Sequence, residues 1–170
     1  MSSARILGKV GKVARYSTSN STIPFRAAVF SKPGAPRDVI SIKSFQPLNH
    51  PSDGHVQLRM RMAPINPSDI NVLQGVYPDR PLPRDNLDPS GPVLIPGNEG
   101  VGEVVAVGLG VRDLRKGDRV VTAMPQAGTW SNYMNIKATN VIPIGSKISD
   151  VQAATISVST SESHSYYPSD

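Results

Sequence analysis

The stretch IPGNEGVGEVVAVGLGVRDLRKGDRVV, residues 95–121, decides the fold, because its glycines admit two incompatible readings. As a dinucleotide fingerprint, the GxG would have to follow a strand, open a helix and bring a third glycine three residues on. Here the glycines instead flank an apolar run, and RDLRKGDRVV leads into a tight Gly-Asp turn and another strand. The segment 101–110 is therefore expected to be a strand whose glycines let it bend. A nucleotide-binding reading of it is rejected.

The same texture continues outward. FRAAVF (25–30), DVISIKSF (38–45) and HVQLRMRMAPI (55–65) alternate as half-buried strands do, and TWSNYMNIKATNVIPI (129–144) supplies two more. In the third, Val56, Leu58, Met60 and Met62 are expected on one face and Gln57, Arg59 and Arg61 on the other. NPSDINVLQG (66–75) reads as a helix capped by Asn66 or Ser68 and ended by Gly75. SDVQAATI (149–156) begins as a second capped helix. Strands at intervals of about ten residues predict a mainly β fold, a small barrel or sandwich with few short helices.

Composition removes several function classes. No cysteine is present, which excludes disulfides, thiol nucleophiles and thiolate metal sites. No run of 18 apolar residues exists, so no membrane-spanning helix is expected. The 38% hydrophobic content is low for 170 residues and implies that part of the chain is unpacked. The net charge of +5 sits at one end: residues 1–37 hold seven Lys/Arg and no acid. From Asp38 onward, eleven basic residues face thirteen acidic ones, so the body carries no charge-based case for nucleic acid.

Residues 1–22, MSSARILGKVGKVARYSTSNST, read as a mitochondrial presequence. Arg5, Lys9, Lys12 and Arg15 fall on one side of a helical wheel, with Ile6, Leu7, Val10, Val13 and Ala14 on the other. A surface amphipathic helix or basic arm is the alternative.

Four motifs in order, INPSDINVLQG, IPGNEGVGEVVAVG, VRDLRKGDRVV and GTWSNYMNI, resemble the GroES-like catalytic domain of medium-chain dehydrogenases/reductases over residues 25–157. The resemblance implies a GroES-like β-barrel over 23–157. Zinc members of that superfamily carry Cys where this chain has Asn66 and His where it has Asn98. Neutral amides are poor zinc ligands. Glu99 alone makes no site and reads as a buried structural carboxylate paired with an arginine. His50, His55 and His164 show no spacing toward a carboxylate cluster, so no metal is expected.

Within the zinc-free members, INVLQGVYPDRP followed by PGNEGVGEVVAVG and GTW resembles the mitochondrial trans-2-enoyl-CoA/ACP reductases, with quinone reductases as the alternative. The resemblance implies NADPH-dependent reduction of enoyl thioesters on acyl carrier protein or CoA in the mitochondrial matrix, with Tyr77 catalytic. A phenol keeps its proton at neutral pH and can protonate an enolate or stabilise its charge. From the residues alone, a tyrosine that plugs the barrel mouth by apolar contact is the preferred reading; the resemblance reverses that preference. Asn66 and Asp69 are expected near the cleft, Asp69 alternatively as a helix cap. Trp130 is expected in an acyl or nicotinamide pocket or as a core anchor.

The pattern breaks at Ser159, where the resemblance implies a cofactor-contacting asparagine and then a Rossmann domain. STSESHSYYPSD has neither helical nor strand periodicity, and 158–170 is expected to be an aberrant, disordered tail. On this reading the Rossmann domain is absent, no residue of the chain binds the cofactor, the family homodimer does not form and the fragment is inactive alone. A non-catalytic barrel that binds a carrier protein is the third possibility.

Overall fold

A computed structural model describes residues 23–156. The presequence expected over 1–22 and the tail over 158–170, with Ser159 and His164, lie outside the described residues.

The chain enters as a hairpin. Strand β1 (Phe25–Val29) pairs antiparallel with β2 (Ser41–Phe45), setting Phe25 opposite Phe45 with ring centroids 5.6 Å apart. A single helical turn, α1 (Pro36–Val39), lies between them. It takes Asp38 and Val39 from the strand expected over 38–45, which begins only at Ser41. Pro36 at the first helical position has no N–H to leave unpaired, and the Ile40 N–H closes the turn on the Pro36 carbonyl at 3.1 Å.

The second sheet is five-stranded and antiparallel throughout. Its order is β6 (Tyr133–Lys137), β3 (His55–Met62), β4 (Val101–Val107), β5 (Arg119–Thr122) and β7 (Val141–Pro143). Val56, Leu58, Val104, Val120 and Ile136 fill one face and are almost fully buried. Each such side chain contributes about 1.5–3 kcal/mol by leaving water. On the opposite face Val101 and Val121 are covered by Ala153 and Ala154 of α3 (Asp150–Ala154). Ser149 caps α3, its hydroxyl accepting from the Gln152 N–H, as the sequence predicts.

Ion pairs fasten α3 to the sheet. The two carboxylate oxygens of Asp150 accept from Arg61 Nε at 2.8 Å and Arg119 Nη2 at 2.6 Å. Glu103 on β4 accepts from Arg59 at 2.9 Å and Arg61 at 3.2 Å. Hydrogen bonds from Arg61 hold the Asp150 carboxyl below its ordinary range, and those from Arg59 do the same for Glu103.

Three expectations are corrected. Gln57 is not on a solvated face: it is buried, its amide donating to the Asn135 side chain opposite it at 3.1 Å and to the Asn49 carbonyl at 3.2 Å. Neighbouring amides make that burial tolerable. The β3–β4 register shifts twice, at Val105, an extra residue on β4 between the partners of Gln57 and Leu58, and at Arg61, an extra residue on β3 just past the Met60–Gly102 pair, so a glycine stands beside only one irregularity. Gly102 is needed for proximity, since a Cβ there would sit 3.2 Å from Leu58 Cβ. The fold is mainly β and GroES-like, as expected, but the ladders of the described residues do not close into a barrel. β1 meets the large sheet at one bridge, Ala27 to Ser131. Beyond it the Asn132 side chain replaces a strand partner, accepting from the Arg26 N–H at 2.8 Å and donating to the Pro24 carbonyl at 3.0 Å.

Candidate active site

Helix α2 (Pro67–Gln74) organises the site because both of its ends are fixed by sequence. Asn66 is its N-cap, and Pro67 occupies the first helical position. Gly75 ends it in the left-handed conformation at φ 78°, where a side chain would be strained and would also strike Pro33. The N–H groups of Val76 and Tyr77 return to the Asn71 carbonyl at 3.0 and 3.3 Å. Tyr77 is thereby held at the tip of a capped helix.

The N-terminal end of α2 is welded to two loops. The Asp69 carboxylate, 1% exposed, accepts from the Asn66 N–H at 2.8 Å and the Asn98 N–H at 3.1 Å. Burial pushes its pKa up, against those two bonds. Glu99 is also buried and accepts from the Asn66 carboxamide at 2.8 Å. Asn98 donates its amide to Ser68 Oγ at 3.3 Å and accepts from the Gln126 N–H at 2.9 Å. The Thr129 hydroxyl donates to the Glu99 carbonyl at 2.8 Å. Asn66, Asp69, Asn98 and Glu99 thus form one polar network in which Asp69 caps and braces. Its two oxygens are engaged within the protein.

The C-terminal end of α2 is apolar. Phe30, Val72 and Leu73 form a buried cluster against which the half-buried Tyr77 ring and Trp130 pack. Among the described residues the Tyr77 hydroxyl makes no hydrogen bond. Trp130 donates its indole N–H to the Pro64 carbonyl at 3.0 Å and also lines a cavity of about 610 Å³ with Ala28, Ile40, Ile42, Met60 and Ile65. One side chain thus packs against the buried cluster and forms part of a cavity wall. The structure therefore brings the four sequence candidates to opposite ends of one helix, Asn66 and Asp69 at its start, Tyr77 and Trp130 beyond its end.

Sequence reasoning missed Ser68, Gln126 and Thr129 as members of the network. Thr129 stands inside the GTW motif and could have been taken from it. Gln126 could not, because its left-handed φ of 53° is rare for a residue with a side chain and leaves no trace in PQAG.

Cofactor chemistry is constrained by what these elements can hold. Among the described residues no three His, Cys, Asp or Glu side chains gather as metal ligands. Among the described residues all strand pairs are antiparallel, and no glycine-rich turn opens a helix onto a pyrophosphate. The described residues therefore do not fit a nicotinamide nucleotide's phosphate cradle.

Comparison with known proteins agrees with this architecture. The family model described as "Alcohol dehydrogenase GroES-like domain" matches residues 52–146. Enoyl-[acyl-carrier-protein] reductase, mitochondrial, of Bos taurus is 39% identical over 85% of this chain and 36% of its own length. An NADPH quinone oxidoreductase of Kluyveromyces marxianus is 36% identical over 71% of this chain and 31% of its own. Among solved structures, the complex of Etr1p with NADP and crotonyl-CoA superposes with a TM-score of 0.79 at 30% identity, covering 86% of this chain and 44% of that one. Etr1p is named elsewhere as a mitochondrial 2-enoyl thioester reductase from Candida tropicalis. The chain spans about a third of the length of these curated relatives. With its capped helix, its fused PGNEG loop and a matching domain model over more than half its length, the chain belongs to the alcohol dehydrogenase GroES-like domain family and is similar within it to the mitochondrial enoyl thioester reductases.

Proposed function

We propose that these residues form the substrate and proton-donating part of an NADPH-dependent reductase of trans-2-enoyl thioesters, carried on acyl carrier protein or CoA, in mitochondrial fatty acid synthesis. The observation that carries the reading is Tyr77: a half-buried ring fixed at a helix tip, with its hydroxyl uncommitted among the described residues. In a whole enzyme a nicotinamide, held by elements other than the described residues, would supply hydride to the β-carbon of the enoyl group. What remains for this chain is the α-carbon, where the electron pair left on the thioester enolate must gain a proton. The Tyr77 O–H donates that proton, or holds the enolate oxygen by a hydrogen bond while water delivers it. Trp130 and the apolar cavity beside it hold the acyl chain, and Asn66 with Asp69 keeps α2, and so Tyr77, in register.

The test joins residues 23–156 to the nucleotide-binding portion of Etr1p and follows NADPH oxidation with crotonyl-CoA, the 170-residue chain serving as control. Tyr77→Phe is expected to lower kcat by about 10²–10⁴-fold with KM little changed. Full activity in that variant, or turnover of quinones in preference to crotonyl-CoA, would overturn the reading. Stable binding of acyl carrier protein without turnover would favour a non-catalytic role instead. For localisation we propose the mitochondrial matrix, supported by relatives named as mitochondrial and by the acid-free basic segment 1–22. Import into isolated mitochondria followed by mass analysis of the mature N-terminus checks it.

A further inference from the structure

A second cavity, of about 530 Å³, opens on the side of the molecule reached by the chain just after Tyr77. Its floor is apolar, built from Ile95, Met124, Met134 and Ile136. Its rim is cationic: Arg80, Arg84 and Lys137 stand around it with Asp79 as the one carboxylate. Among the described residues none of these three cations is in an ion pair, whereas Arg59, Arg61 and Arg119 on the α3 side are all matched to acids.

Two of the three cations are set by backbone structure. Arg84 bridges to Val93, its N–H bonding the Val93 carbonyl at 2.8 Å, and Lys137 pairs with His55 at the end of the β6–β3 ladder. The wall between them holds Gln126, which combines two rare features. Its backbone is left-handed at φ 53°, and both polar atoms of its carboxamide are buried with no partner in the structure. Backbone strain and unmatched buried amides concentrate where a protein meets a ligand. Neither the Gln126 carboxamide nor the three cations has a part in the chemistry assigned to Tyr77.

We propose that this cavity is a binding site for a phosphorylated organic molecule. Arg80, Arg84 and Lys137 hold its phosphate, the Gln126 carboxamide offers a further donor, and the apolar floor takes the organic body. Guanidinium groups match phosphate oxygens in paired, charge-assisted bonds, and Lys137 adds a point charge. Such a ligand could be the nucleotide end of a CoA thioester or a separate phosphorylated metabolite. The site itself does not depend on the reading of Tyr77.

The test titrates the ¹⁵N-labelled 170-residue chain with adenosine 3′,5′-bisphosphate, with CoA and with adenosine. Shifts at Arg84, Gln126 and Lys137 are expected with the first two ligands and not with adenosine. Affinity is expected to fall about tenfold or more in Arg80→Gln/Arg84→Gln, and to weaken as salt is raised. These exposed substitutions should leave the thermal midpoint unchanged, which separates lost binding from lost fold. Tighter binding of CoA than of the bisphosphate identifies the substrate's tail as occupant; equal binding identifies a free phosphorylated metabolite. No shifts up to millimolar ligand, shifts at other residues, or unchanged affinity in the double variant would each overturn the proposal. None of the overturning results bears on crotonyl-CoA reduction, so the two readings fail separately.

Discussion

At the scale of single residues, the site depends on positions that tolerate little. Gly75→Ala would place a Cβ 2.7 Å from Pro33 at a φ of 78°. It is expected to cost about 1–3 kcal/mol, read as a lowered midpoint in urea unfolding. Asn66→Ala removes the donor that the structure gives Glu99 and is expected to cost a similar 1–3 kcal/mol, because a buried acceptor loses a partner. Asn66→Asp should be worse than Asn66→Ala, since it sets a second carboxylate against Glu99. Much of this was legible in the sequence. Asn66, Pro67 and Gly75 announce the helix and both of its ends by their backbone preferences. The bond from Asn66 to Glu99 was not legible, because it joins residues 33 apart whose proximity only the folded loop creates. Gln126 was hidden for the opposite reason: nothing local favours a side chain at that φ.

At the scale of elements, α3 shows how a short helix is kept. Five residues cannot sustain a helix alone, so its alanines, its Ser149 cap and the Asp150 ion pairs must hold it. Asp150 and Glu103 both titrate below their ordinary values of 3.8 and 4.5. A carboxyl shifted downward adds stability above its unfolded pKa, and that stability is lost as pH falls through the folded one. The amide protons of α3 are therefore expected to lose protection below about pH 4, before those of β3 and β4, in hydrogen exchange followed by NMR. Because the pairs are partly solvated, Asp150→Asn should cost only about 0.2–1 kcal/mol. The alternation of β1 and β3 and the apolar run of β4 could be read directly. The start of β2 could not, since DVIS alternates like a strand while Pro36 closes a helical turn through it.

At the scale of the whole molecule, the open side of the fold stands out. Ile42 and Ile65, on the cavity beside Trp130, are 66% and 71% exposed. Ile42→Lys with Ile65→Lys is expected to reduce binding of an apolar fluorescent dye while shifting stability by no more than about 0.5 kcal/mol. The mainly β class was readable from strand spacing, but the unclosed ladder was not. Its interruption rests on Asn132 reaching back to Pro24 and Arg26, a pairing across more than a hundred residues that leaves no periodicity. The strand order has a consequence in time. β3 lies between β4 and β6, and its ladder to β6 matches His55 with Lys137. During synthesis β3 must therefore wait, one edge bare, until the ribosome has released residue 137. A chain arrested near residue 125 would present that edge to chaperones, and one arrested well past 156 would not. The slow step in its birth is the arrival of a partner, not the formation of any strand.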